Sequence, residues 1–167
     1  ESITPGDIKP GALLDVMEGP AGLIIALRHH RDTRIRKLCH RLGLLLTDAA
    51  SEGWGSKKVC ALSRNASFAH DAGGMGTAVL IAAGMGSDPD MVDSWRAAWE
   101  FENTFKLEEG WNDARCPGDS HATHWCHGLA GIALARTVWL QAIEDNTFLR
   151  SVVTPDEITR IRAELEE

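Results

Sequence analysis

The feature that most constrains this chain is a segment that occurs three times. Glu18-Gly-Pro-Ala-Gly-Leu-Ile-Ile-Ala-Leu27, His70-Asp-Ala-Gly-Gly-Met-Gly-Thr-Ala-Val79 and His127-Gly-Leu-Ala-Gly-Ile-Ala-Leu-Ala-Arg136 each set small residues ahead of a short apolar stretch. The second glycines, Gly22, Gly74 and Gly131, are 52 and 57 residues apart. Self-similarity at such a period marks a repeat architecture, in which stacked units share one continuous core. Each apolar stretch lacks a polar face, which predicts an inner helix packed on both sides.

Amphipathic stretches lie between these inner helices. From Arg34 to Ala50, Ile35, Leu38, Leu42, Leu45 and Leu46 fall at helical spacing. From Met91 to Phe105, the positions Met91, Val92, Trp95, Ala98, Trp99 and Phe105 do the same, behind the capping run Ser87-Asp-Pro-Asp90. Thr154-Pro-Asp-Glu157 is a capping box with proline at the first helical position, and it opens a final helix toward the C-terminus. Ser51–Ala66, Gly84–Ser87 and Leu107–Thr123 read as loops. β-Branched alternation is nearly absent. The expected fold is all-α, built from about three pairs of inner and outer helices around residues 11–50, 65–106 and 124–167.

Composition narrows the function classes. A chain of 167 residues with 44% hydrophobic content can bury a real core. A net charge of −7 argues against a duplex-binding surface, which needs a basic patch. No apolar run is long enough to span a bilayer, and no leader pattern opens the chain. Cys39, Cys60, Cys116 and Cys126 have no secretory context, so reduced thiols in a cytoplasmic protein are expected.

The densest chemistry lies in Cys116-Pro-Gly-Asp-Ser-His121-Ala-Thr-His124-Trp-Cys126-His127-Gly128. Thiolates and imidazoles are the usual zinc ligands, although this spacing matches no zinc-finger pattern. Read on its own, the window is also compatible with a polar loop entering a helix. Cys39-His40 lies within an amphipathic helix and reads as an outer-helix cysteine beside a solvated histidine.

Trp125-Cys-His-Gly-Leu-Ala-Gly131-Ile-Ala-Leu-Ala-Arg136 resembles the zinc-cysteine motif of the lanthionine synthetase C-like cyclases, above all the version in the C-terminal domain of bifunctional class II lanthipeptide synthetases. Leu14-Asp-Val-Met-Glu-Gly-Pro-Ala-Gly22 and Ser67-Phe-Ala-His70 resemble earlier motifs of that family, in the same order. The resemblance implies an α/α toroid with zinc at one mouth. It implies a zinc-dependent cyclase that adds cysteine thiols of a lanthipeptide precursor to dehydroalanine or dehydrobutyrine. Residue by residue, it implies Cys126 as a zinc ligand, and His70 with Asp15 for acid/base work. Asp71 departs from the family's usual glycine, so a different turn and a carboxylate beside His70 are expected. Ala122 stands where some stand-alone cyclases carry arginine.

The residue types suit that chemistry. The thiolate is the nucleophile, and a bound zinc ion deprotonates a thiol outright. Attack at the β-carbon leaves an enolate, which a histidine can protonate. The resemblance also implies a later cysteine–histidine pair of zinc ligands, which does not occur after Cys126. Three resolutions stand open. The 167 residues are a partial domain whose other ligands lie elsewhere in a longer synthetase; Cys116, His121 or His124 complete a local site; or the chain is a metal-free relative. In the last case it is a non-catalytic helical-repeat module that binds peptide. A glycoside-processing toroid using Asp15 and Glu18 would leave the Trp-Cys-His-Gly signature unexplained. Fewer helix pairs than a closed ring needs would leave apolar edges for the rest of the synthetase or a second copy to cover.

Overall fold

A computed structural model describes residues 13–56, 59, 68–108, 110–112, 123–126 and 128–166. The described residues form seven α-helices and a two-stranded hairpin. The helices are α1 (Pro20–Ala26), α2 (Thr33–Ala49), α3 (Ala72–Gly86), α4 (Pro89–Asn103), α5 (Leu129–Asp145), α6 (Thr147–Val152) and α7 (Pro155–Glu166). The fold is all-α, as its sequence pattern predicts. The hairpin is the exception: β1 (Lys106–Leu107) pairs antiparallel with β2 (Gly110–Trp111), and all but Lys106 falls in the stretch expected to be loop.

α1, α3 and α5 begin on the three repeated motifs. α3 packs against α1 and α5 on either side and against α2 and α4 behind. That surround explains why every residue from Ala72 to Gly84 is buried. The expected loop over Gly84–Ser87 is largely helix, because α3 continues to Gly86 and turns only at Ser87, which adopts a left-handed conformation (φ 56°). α2, α4 and α7 carry the amphipathic patterns and pack from outside. α6 was not separable in the sequence; Asn146 ends α5 with its backbone N–H on Ile143 O, and its side chain caps α6 by accepting from Leu149 N at 3.1 Å.

The caps follow their sequences. Asp32 accepts from Arg34 N at 2.7 Å to start α2. Asp88 accepts from Asp90 N and Met91 N, with Pro89 opening α4. Thr154 and Glu157 close the capping box in both directions, at 2.8 Å (Thr154 N to Glu157) and 3.2 Å (Glu157 N to Thr154). Burial opposes ionisation of Glu157, but the Arg96 guanidinium and the Thr154 amide and hydroxyl outweigh it and hold its carboxyl below the usual range. Asp88 also contacts His40 Nε2 at 3.0 Å, so His40 ties α2 to the start of α4 rather than standing in solvent. Cys39 beside it is fully buried, and that burial pushes its thiol pKa up.

The core between α4, α5 and α7 is aromatic and charged together. Trp95, Trp99 and Trp139 stack and cross at centroid distances of 5.2–5.6 Å. Arg136 lies 4.1 Å from the Trp139 ring and is fully buried. It donates to Glu102 and to Glu164, each at 2.6 Å. Two carboxylates share one guanidinium in a buried site, so burial lifts the Glu102 carboxyl above its ordinary range despite Arg136, and the Glu164 charge adds to the effect. Arginine in an otherwise apolar inner helix is tolerated only with such partners.

Candidate active site

Three loops meet at the N-terminal ends of the inner helices. Val16 N donates to Ala69 O at 3.0 Å, and Ala69 N donates to Cys126 O at 3.3 Å. The loop before α1 is thus tied to the loop before α3, and that loop to the one before α5. The repeat glycines make this possible. A Cβ on Gly22, Gly74 or Gly131 would run into the carbonyl oxygen of Val16, Phe68 or Trp125, the residue six positions earlier. In each repeat the loop folds back onto the first turn of its own helix, and only a residue without a side chain lets it lie that close.

Asp15 occupies a tight turn. Its Oδ1 accepts from Glu18 N at 2.8 Å, its carbonyl accepts from Gly19 N at 3.1 Å, and Pro20 then opens α1. Its other oxygen, Oδ2, lies 2.8 Å from His70 Nδ1. The Asp15 side chain is 5% exposed and that of His70 is 27% exposed. A buried carboxylate therefore fixes the ring of a partly open histidine, from a position 55 residues away in sequence. Turn residue and histidine partner are one and the same for Asp15.

The carboxylate on His70 Nδ1 is that of Asp15, while Asp71 begins α3 from a fully buried position. Asp71 has φ −135° and ψ −161°, extended backbone that any residue adopts. The matching position in the third repeat, Gly128, has φ 90° and does need glycine.

Cys126 is half-buried in the third loop, its carbonyl on Ala69, next in sequence to His70. His124 is exposed. Cys116 and His121 lie outside the described residues. Among the described residues no group of three or more His, Cys, Asp or Glu could hold a metal ion. The described residues therefore do not by themselves make up a zinc site: they bring one thiol close to the loop junction without two further ligands around it.

Sequence reasoning missed the ladder between the loops, and nothing in the side chains could have signalled it, since it is main chain to main chain. It also passed over Arg136, although a charged residue inside an apolar motif was a visible signal.

The family model for lanthionine synthetase C-like proteins matches residues 2–154. The chain belongs to this family. It is also 28% identical, over all 167 residues, to the lacticin 481/lactococcin biosynthesis protein LcnDR2 of Lactococcus lactis subsp. lactis. The chain spans 16% of that relative's length. No solved structure matches it. Within a lanthionine synthetase C-like chain, the Asp15–His70 pair sits where the motif loops converge. No helix among the described residues is long and apolar enough to cross a membrane.

Proposed function

We propose that this chain is part of a zinc-dependent peptide cyclase that forms lanthionine and methyllanthionine rings in a precursor peptide. The single observation that carries the reading is the 2.8 Å contact between Asp15 and His70 where the motif loops meet. Family membership supplies the reaction class. The 1–167 span is read as a partial cyclase domain and its helix pairs as an arc of the family's toroid, belonging to a longer cytoplasmic synthetase of the class II type. The relative's far greater length supports that reading.

In the proposed step, a precursor thiolate bonds to the β-carbon of a dehydroalanine or dehydrobutyrine. The alkene electrons move to the α-carbon, and the resulting enolate takes a proton there. Asp15 accepts from His70 Nδ1–H, which fixes the ring and leaves Nε2 as the position that gives up the proton. The proton lost from the thiol balances the one gained at carbon, so the ring closes without change of mass. Cys126 is assigned as one zinc ligand, with zinc supplying thiolate formation when bound.

The 1–167 span is expected to be inactive alone, so the test uses the longer synthetase: cyclisation of a synthetic peptide carrying one cysteine and one dehydroalanine, followed by loss of thiol alkylation. His70→Ala should slow it by roughly 10²–10⁴-fold. Asp15→Asn should slow it less and shift its pH profile. Wild-type rates in His70→Ala would remove His70 from the reaction. For the metal, about one zinc per chain, lost in Cys126→Ala, is expected. Persistence of zinc in that variant, with loss in Cys116→Ala or His121→Ala, would move the site to the local donors.

The alternative reading is a metal-free helical module that binds the peptide without catalysis. Folded protein that binds precursor peptide, holds no zinc and closes no ring would establish it.

A further inference from the structure

At the end of the inner helices away from the motif loops lies a cavity of about 100 Å³. It is walled by Arg28, His29 and Arg36 from the α1–α2 region, and by Gln141 and Asp145 at the end of α5. Ile81 and Leu149 are part of its apolar lining. The length of α3, roughly 20 Å at 1.5 Å per residue, separates it from the Asp15–His70 pair.

The guanidinium groups are only partly used. Arg28 Nη1 donates to Ile25 O at 3.0 Å, and Arg36 Nη2 donates to Met85 O at 3.4 Å. Each has five N–H donors. Among the described residues neither pairs with a carboxylate, and Arg28 Nε is buried without a hydrogen-bond partner. The surrounding segment is basic in an otherwise acidic chain. Residues 28–41 contain Arg28, Arg31, Arg34, Arg36, Lys37 and Arg41 against Asp32 alone, where the whole chain carries −7. Such a patch raises the encounter rate with anions.

We infer that this cavity binds an aspartate or glutamate side chain of a peptide, its carboxylate on Arg28 and Arg36. The size argues for one side chain of a longer ligand. Pockets that enclose a whole small molecule run to about 300–1,000 Å³. Asp145 across the opening argues for a singly charged carboxylate over a phosphate dianion. The apolar lining takes the methylene stem, and the basic segment takes further acidic residues of the same peptide. The inference stands whether or not the chain closes thioether rings.

The probe is dye-labelled hexaglutamate, with hexaglutamine carrying the same dye as control, followed by fluorescence anisotropy at low salt. Hexaglutamate should bind and hexaglutamine should not, with affinity falling as salt rises. Arg28→Gln should weaken binding by roughly tenfold or more. Since Arg28 also serves the end of α1, two rim variants keep the test independent of folding. Gln141→Glu should weaken binding and Asp145→Asn should strengthen it, each several-fold, because both residues are exposed and differ only in charge. Equal binding of the two peptides, or indifference to both rim changes, would overturn the proposal. So would displacement by inorganic phosphate at matched concentration.

Discussion

α3 and α5 start from the same motif and end in different environments. α3 has neighbours on every side, and all its residues from Ala72 to Gly84 are buried. α5 packs against α3, α6 and α7 and leaves Leu129 and Leu134 about 40% exposed. On the other side of α3, α1 leaves Leu23 45% exposed. The difference teaches that the motif specifies a helix with a close-packed entry loop, while burial is set by how many neighbours the stack supplies. It also separates two ways of holding a helix. α3 is held by apolar packing, with Thr77 as its buried polar residue, accepting from Trp139 Nε1 at 2.7 Å. α5 is held to the outer layer by the Arg136–Glu102–Glu164 group.

The sharpest way to break that contrast is Arg136→Met. It leaves Glu102 buried without its cation and Glu164 with Arg160 alone, 3.5 Å away, and should cost about 3–5 kcal/mol in chemical denaturation. A cost near zero would mean that packing alone holds α5. Leu80→Ala in α3 should cost about 2–5 kcal/mol, the penalty for a cavity in a closed core. The same change at Leu134 in α5 should stay within about 0.5 kcal/mol, since that side chain already meets solvent. Equal costs at the two positions would show that another surface covers α5.

The charged group makes a pH prediction. The folded-state pKa of Glu102 is raised, so its contribution is fully present below the ordinary value of 4.5 and is lost as pH rises through the folded-state value. Glu102→Gln removes that dependence. Wild type should therefore lose stability relative to the glutamine variant as pH climbs from about 4.5 toward neutrality, measured by paired denaturant melts. A constant difference across that window would mean that Arg136 holds Glu102 ionised throughout. A smaller effect than at Arg136 or Leu80 is expected outside the α3–α5 pair. Thr154→Ala removes one half of the capping box of α7 and should cost about 1 kcal/mol; a larger loss would show α7 helping to hold the Arg136 group in place.

Much of the fold was legible because helices and caps are local. The heptad-like stripe of α2, the Asp88-Pro89 start of α4 and the Thr154–Glu157 box each reflect contacts within a few residues. The end of α3 was misread because Gly84 and Gly86 look like breakers. Their surroundings hold them helical, with Asn146 donating to Gly84 O at 2.8 Å and His40 packed against Gly86. At the candidate site, Asp15 and His70 were visible through their motifs, but their contact was not, since no local pattern registers a pair 55 residues apart. Asp71 lies next to His70 in sequence, yet the carboxylate on Nδ1 comes from the neighbouring repeat.

By itself, the sequence determined the repeat, the three glycines that let each entry loop fold back on its helix, the all-α class and the family. It did so because each of these depends on residue type at short spacing. Only the tertiary structure decided that the loops join main chain to main chain across repeats, that Asp15 faces His70, and that Arg136 answers two carboxylates. Those depend on how successive units stack, and stacking is set by the summed fit of many apolar contacts rather than by any one residue.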